Sequence, residues 1–180
     1  MQRMQRMRRV AVVGTTGSGK TSLARSLAQR LAVPHVEMDA LYWEPGWQPA
    51  PREVFRARVQ AALSGPAWVT DGNYHLVRDM IWEQADTLVW LDYPLPMVLW
   101  RLAWRTLRRS ITGEVLYNSN RERLLENLFG SDSIFLWALK THPRHRREYP
   151  LELARPEHAH LTFVHLRGPR STEQWLKSLD

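Results

Sequence analysis

Eight consecutive residues, Gly14-Thr15-Thr16-Gly17-Ser18-Gly19-Lys20-Thr21, have the types and spacing of a phosphate-binding loop, G-x-x-x-x-G-K-[ST]. Glycines let successive backbone N–H groups converge on phosphate oxygens, and a helix opening at Lys20 adds its N-terminal partial positive charge. In that chemistry Lys20 bridges the β- and γ-phosphates of ATP and the Thr21 hydroxyl ligates Mg²⁺, with Ser22 completing the nucleotide-binding set. Four constrained positions match by chance on the order of once in a hundred chains of this size. The spacing therefore carries real information.

Two further groups of residues have chemistry to offer. Arg101, Arg105 and Arg108 recur at i, i+4 and i+7, which puts them on one helix face. Such a stripe is either a guanidinium comb over a transferring phosphoryl group or a solvated surface. Asp71 closes an apolar segment, at the carboxyl edge where an open α/β sheet binds its ligands. It reads as a carboxylate that orders Mg²⁺, directly or through water, or as the cap of the next helix. Asp92 ends a similar segment and reads as a structural cap. No N-K-x-D guanine-reading motif occurs. Large motor and transporter ATPases need more than 180 residues, which leaves a compact kinase as the leading class.

The whole chain must position these groups. Its 180 residues suffice for one domain with a small insertion, and 44% hydrophobic with 24% charged residues excludes wholesale disorder. No apolar run approaches the roughly 20 residues of a membrane helix. The absence of cysteine removes disulfides, thiolate metal sites and a cysteine nucleophile, and it suits the cytoplasm, where the chain is expected to act. Residues 1–9 are basic but precede too short an apolar stretch for a signal peptide, so a flexible N-terminus is expected. A net charge of +7 attracts polyanions without choosing between nucleic acid and phosphorylated small molecules.

Pattern and punctuation predict strands at 10–13, 33–38, 67–70, 87–91 and 161–166. Helices are expected at 20–31, 53–63, 74–84, 95–109, 133–148 and 172–179. The alternation implies a three-layer α/β sandwich, a five-stranded parallel sheet with helices on both faces. Residues 110–132 break it as a polar excursion, with a capping-box pair at Ser119 and Glu122, and read as a lid-like insertion or a plain helical hairpin. Among nine tryptophans, Trp68, Trp90, Trp100 and Trp137 are expected in the core or a cleft wall. His142, His145, His158, His160 and His165 are expected at the surface. The run Arg144 to Arg147 is a basic patch at a helix end.

These residues resemble the adenylate-kinase-like branch of phosphate-loop kinases, which includes nucleoside-monophosphate, shikimate and gluconate kinases. Val69-Thr70-Asp71-Gly72 resembles their strand-ending Asp-Gly, and Leu91-Asp92-Tyr93-Pro94 with Arg101 and Arg105 matches their L-D-x-P…R-x-x-x-R spacing. More narrowly, Asp39-Ala40-Leu41-Tyr42-Trp43, Asp71-Gly72-Asn73-Tyr74 and Asn120-Arg121-Glu122 resemble a bacterial group of adenylate-kinase-related proteins labelled DNA topology modulation proteins. The resemblance implies ATP and Mg²⁺ as cofactors. It also implies phosphate-neutralising roles for Arg101 and Arg105, and an acceptor carboxylate at Asp39, as in small-metabolite kinases. Arg121 and Arg123 are candidates for lid arginines over the nucleotide. The chain departs from adenylate kinases at two arginines of the monophosphate site, where Tyr42 and His75 stand. The departures weigh against AMP, and Arg78, Arg52 or Arg56 are the candidate substitutes.

Two functions follow as expectations: an ATP-dependent kinase with a small-molecule acceptor, or a nucleic-acid-associated ATPase regulator without one. Only the basic charge speaks for the second.

Overall fold

The computed structural model describes residues 7–114, 116–119 and 133–179. Five strands form one parallel sheet: β1 (Arg9–Gly14), β2 (His35–Glu37), β5 (Trp68–Asp71), β6 (Thr87–Leu91) and β7 (Thr162–Leu166), in the order β2-β5-β1-β6-β7. The register pairs Val12 with Asp71 on one side of β1 and Gly14 with Leu91 on the other. Apolar residues alternate across the pleat, so each strand feeds two cores. Ala11, Val13, Leu88 and Trp90 pack with Phe55, Trp82 and Tyr149 on one face. Val10, Val12, Val89 and Leu91 pack with Leu23, Leu27 and Val98 on the other. With both faces covered, the central strands read as unbroken apolar runs.

The helices are α1 (Lys20–Leu31), α2 (Met38–Tyr42), α3 (Arg52–Ala62), α4 (Arg78–Gln84), α5 (Leu95–Thr112), α6 (Ile134–Leu153) and α7 (Pro169–Lys177). From β1 the chain crosses outward to β2, returns through β5 and then jumps to β6 on the far side. That reversal opens a crevice at the carboxyl end of β1, where an α/β sheet holds its ligands. No helix among the described residues is long and apolar enough to cross a membrane.

Several boundaries differ from the sequence pattern. The stretch after β2 turns into α2 and a two-stranded antiparallel unit, β3 (Trp43–Glu44) with β4 (Gln48–Pro49), too short to leave a periodic signal. The helix expected at 74–84 starts at Arg78, because Asn73 and Tyr74 are committed to tertiary hydrogen bonds. The last helix starts early, at Pro169, where the Gly168 N–H donates to the Ser171 hydroxyl at 3.1 Å. α6 runs on to Leu153 with Pro143 and Pro150 inside it. Met7 is buried, and the Arg8 and Arg9 N–H groups both donate to Asp86 Oδ2.

Two expectations about side chains fail. Trp68 and Trp90 are core residues, but Trp100 and Trp137 are 68% and 61% exposed, since an apolar residue on a helix says nothing about which face meets the sheet. Conversely, His142 and His145 are buried, His142 Nε2 lying 2.9 Å from the Tyr93 carbonyl and His145 stacking on Tyr149. An imidazole with a partner or a ring neighbour is an acceptable core residue.

Candidate functional site

The phosphate loop links β1 to α1, and its backbone is shaped by glycine. Gly17 has φ +82°, and a Cβ there would lie 2.9 Å from the Val98 carbonyl oxygen and 3.1 Å from Leu102 Cβ. The loop therefore rests directly on α5, with no room for a side chain. Within it the Ser18 N–H donates to the Thr15 carbonyl at 3.0 Å, and Lys20 Nζ reaches the same carbonyl at 3.2 Å. Burial pulls the Lys20 ammonium below its ordinary pKa; Asp71 and Asp39 oppose that pull, and Arg105 adds to it.

At the head of α1 the Thr21 hydroxyl donates to Asp71 Oδ2 at 2.6 Å. Asp71 is buried at the end of β5, and its other oxygen receives His35 Nε2 at 2.8 Å. A hydroxyl and a carboxylate side by side beneath a phosphate cradle are hard oxygen donors of the kind Mg²⁺ takes, so the residues fit that ion. Ser22, one residue on, is exposed on the first turn of α1.

The arginine stripe divides. Arg101 Nη1 donates to the Ser18 carbonyl at 3.3 Å, and its guanidinium lies 5.1 Å from the Tyr93 ring centroid. Arg105, one turn on, is close enough to Asp39 and Lys20 to act on both electrostatically. Arg108 is exposed beside Trp104, Leu107 and Ile111, beyond the loop. Arg121 and Arg123 lie outside the described residues, as does Glu122 of the capping-box pair.

Facing the loop, Asp39 sits on α2 and accepts the Tyr74 hydroxyl at 2.5 Å. Burial raises the Asp39 pKa, and the Tyr74 hydrogen bond and the Lys20 charge hold it back. Burial and the same carboxylate raise the Tyr74 phenol, which stays a donor at any working pH. Tyr74 is braced by Tyr42, ring centroids 4.5 Å apart, and by Phe55 at 5.2 Å. Its neighbour Asn73 binds the backbone of Gly14 in both directions: Oδ1 accepts the Gly14 N–H at 3.0 Å and Nδ2 donates to the Gly14 carbonyl. One turn therefore touches both walls of the crevice.

Sequence reasoning did not find the roles of Asn73, Tyr74, His35 or Glu37. Glu37 gathers Arg25 at 3.0 Å and the Tyr117 hydroxyl at 2.7 Å, which anchors the described edge of the polar excursion beside α2. The one available signal was that Asn73 and Tyr74 replace residues the adenylate-kinase pattern would put there. Of the candidate substitutes for the missing arginines, Arg56 is committed to Asp79 through two bonds, at 3.0 and 2.9 Å, and Arg52 is exposed. Arg78 remains near the crevice. Asp92 does more than end β6: it takes Arg146 Nε at 2.6 Å and His165 Nε2 at 3.0 Å, tying α6 and β7 together.

No protein-family model matches the sequence, and no curated protein matches it. Among solved structures, the chain is similar to a gluconokinase from Sinorhizobium meliloti at 19% identity and TM-score 0.53, covering 97% of this chain and 94% of that one. It is similar to shikimate kinase from Bacteroides thetaiotaomicron at 15% identity and TM-score 0.55, covering 96% of each chain. Shikimate kinase from Acinetobacter baumannii, solved with shikimate, gives 18% identity and TM-score 0.57 over 99% of this chain and 94% of that one. At these identities the likeness establishes the fold, that of adenylate-kinase-like phosphate-loop kinases.

Proposed function

We propose that this protein transfers the γ-phosphoryl group of ATP to a hydroxyl of a small molecule. The observation that carries this reading is Asp39: a half-buried carboxylate, fixed by Tyr74, across the crevice from the phosphate loop and within electrostatic reach of Lys20 and Arg105. Such a carboxylate can take the proton of an acceptor hydroxyl.

In this reading the phosphate loop holds the donor phosphates, and Lys20 spans the β- and γ-phosphates. Thr21 and Asp71 would hold Mg²⁺, which would supply neutralisation of phosphate charge. Asp39 accepts the proton of the acceptor hydroxyl as that oxygen bonds to the γ-phosphorus. The bond from the γ-phosphorus to the bridging oxygen breaks, leaving ADP and a phosphate monoester. Arg101 and Arg105 neutralise the equatorial oxygens as they move, worth on the order of 10² in rate per donor. The raised pKa of Asp39 suits a general base.

The rival reading, a regulator that binds nucleic acid, is weakened by how the basic run 144–147 is used. Arg144 pairs with Glu148 at 2.5 Å, Arg146 pairs with Asp92 at 2.6 Å, and His145 is buried. The narrower likeness to the bacterial DNA topology modulation group rests on its three motifs. ATP as donor points to action in the cytoplasm.

The test is ADP release above background across nucleoside monophosphates, nucleosides and hydroxylated metabolites. At least one acceptor should stimulate release, and Asp39→Asn should lower that stimulation by about 10²-fold or more. A panel in which nothing stimulates release, with Asp39→Asn matching the parent, returns the protein to the regulatory reading.

A further inference from the structure

Two carboxylates stand opposite each other where the sheet meets the phosphate loop. The register of β2 on β5 pairs Glu37 with Asp71, and like charges facing each other across a sheet repel. The structure turns the two apart. Glu37 is drawn to Arg25 on α1 at 3.0 Å and to the Tyr117 hydroxyl at 2.7 Å. Asp71 is drawn to the Thr21 hydroxyl at 2.6 Å through Oδ2 and to His35 Nε2 at 2.8 Å through Oδ1. His35 is two residues before Glu37 on the same strand, opposite Val69, so its ring reaches Asp71 along the diagonal.

Phosphoryl transfer gives Thr21 and Asp71 their tasks and leaves His35 without one. The side chains of His35 and Asp71 are only 12% and 8% exposed, so their contact is made almost out of water, where a hydrogen bond to a carboxylate counts for more than at the surface. A carboxylate accepts and does not donate, so Nε2 carries the proton of this bond. The other ring nitrogen, Nδ1, lies 3.7 Å from Glu37 Oε1, beyond hydrogen-bond distance. The imidazole therefore stands between two carboxylates and is bonded to one. Rotation about the last bond of an aspartate is soft, and an unheld Asp71 would sample many orientations. With Oδ1 taken by His35, the orientation is set, and Oδ2 is left facing Thr21 at the head of α1.

We propose that His35 is a positioning residue for the metal site: by holding Asp71 Oδ1 it keeps Oδ2 on the Thr21 hydroxyl, the pair of oxygens that would take Mg²⁺. The role rests on the reading in which Thr21 and Asp71 hold the ion, and it is independent of which acceptor is used. His35 acts through Asp71 and is not itself a ligand. Losing the partner that orients a metal-binding group costs roughly 10- to 100-fold in metal affinity.

Mn²⁺ serves as the probe. It is titrated into the complex of the protein with ADP, protein in excess over nucleotide, and the free-ion signal in electron paramagnetic resonance reports what is not held. His35→Phe keeps a ring and loses the donor, His35→Asn keeps an amide too short to reach Asp71, and His35→Gln carries a donor at nearly the reach of Nε2. The first two should hold Mn²⁺ about tenfold or more weaker than the parent, and the third within about threefold of it. ADP affinity measured in EDTA should stay that of the parent in all three. Asp71→Asn should weaken Mn²⁺ at least as much as His35→Phe, and combining the two should cost nothing more, because the ring works only through that carboxylate. If one of the two donor-lacking variants fails to fold, the other carries the test. Parental Mn²⁺ affinity in the folded donor-lacking variants, no rescue by His35→Gln, an additive loss in the combined variant, or an ADP affinity that falls equally with and without metal overturns the proposal. Parental Mn²⁺ affinity in Asp71→Asn overturns it together with the assigned metal site. ADP release with acceptors is scored separately. The expected metal results without any stimulated release sink the kinase reading and leave the role of His35 standing.

Discussion

In the proposed reading, the donor wall of the crevice draws eight consecutive residues, Gly14 to Thr21, into one cradle, whereas the facing wall is gathered from separate stretches of chain around Asp39, Asn73-Tyr74 and Arg78. The first wall is mostly backbone. Its shape follows from glycine at positions such as Gly17, and its charge from one helix N-terminus and one lysine. The second wall is mostly side chains, and its main hydrogen bonds join residues far apart in the chain. A backbone cradle binds the invariant part of a reaction, the polyphosphate. An assembled wall can be tuned to whatever molecule must meet it.

This contrast can be broken by experiment, beginning where the effect should be largest. Lys20→Ala removes the one side-chain cation inside the cradle, so ATP turnover should fall by on the order of 10³ or more while circular dichroism stays that of the parent. Turnover at the parent rate would mean that the loop is not the donor site. A smaller effect is expected between the walls. Arg101→Ala or Arg105→Ala should lower kcat by about 10²-fold with ATP affinity nearly unchanged, because the guanidinium is needed most when charge moves. If ATP affinity falls in step with kcat, these arginines belong to the donor wall instead.

The smallest effect sharpens the picture of the assembled wall. Burial raises the Asp39 pKa and the Tyr74 hydroxyl lowers it. A base with a raised pKa loses its carboxylate form as pH falls, so kcat/KM should drop on the acid side at a higher pH than for an ordinary aspartate. Tyr74→Phe removes the lowering influence. The acid limb should then move further up, by roughly one pH unit, as one hydrogen bond of ordinary strength allows. A limb that stays in place would mean that Asp39 is not the group being titrated.

The two walls also differ in how far they could be read from the sequence. The phosphate loop was fully legible, and so was β6, found at residues 87–91 as expected, because continuous local patterns carry them. Asp71 was legible as a candidate because it ends a strand, and Asp39 through the resemblance to small-metabolite kinases. The Tyr74–Asp39 bond spans 35 positions and the Asn73–Gly14 pair spans 59, and no periodicity reports such distances. Trp100 and His145 were misjudged in opposite directions for a common reason. Residue type records what a side chain tolerates, while burial depends on which way its helix is turned.

The short unit from Met38 to Pro49 comprises α2 with the β3–β4 pair, stands apart from the five-stranded sheet and yet carries Asp39. It is seated on the core through Met38 and Tyr42. In the proposed reading, changing the residues around Asp39 while keeping Met38 would alter which molecule meets the phosphate. A lineage built on this frame can change diet without changing engine, and the length and sequence of that unit are where neighbouring members should diverge first.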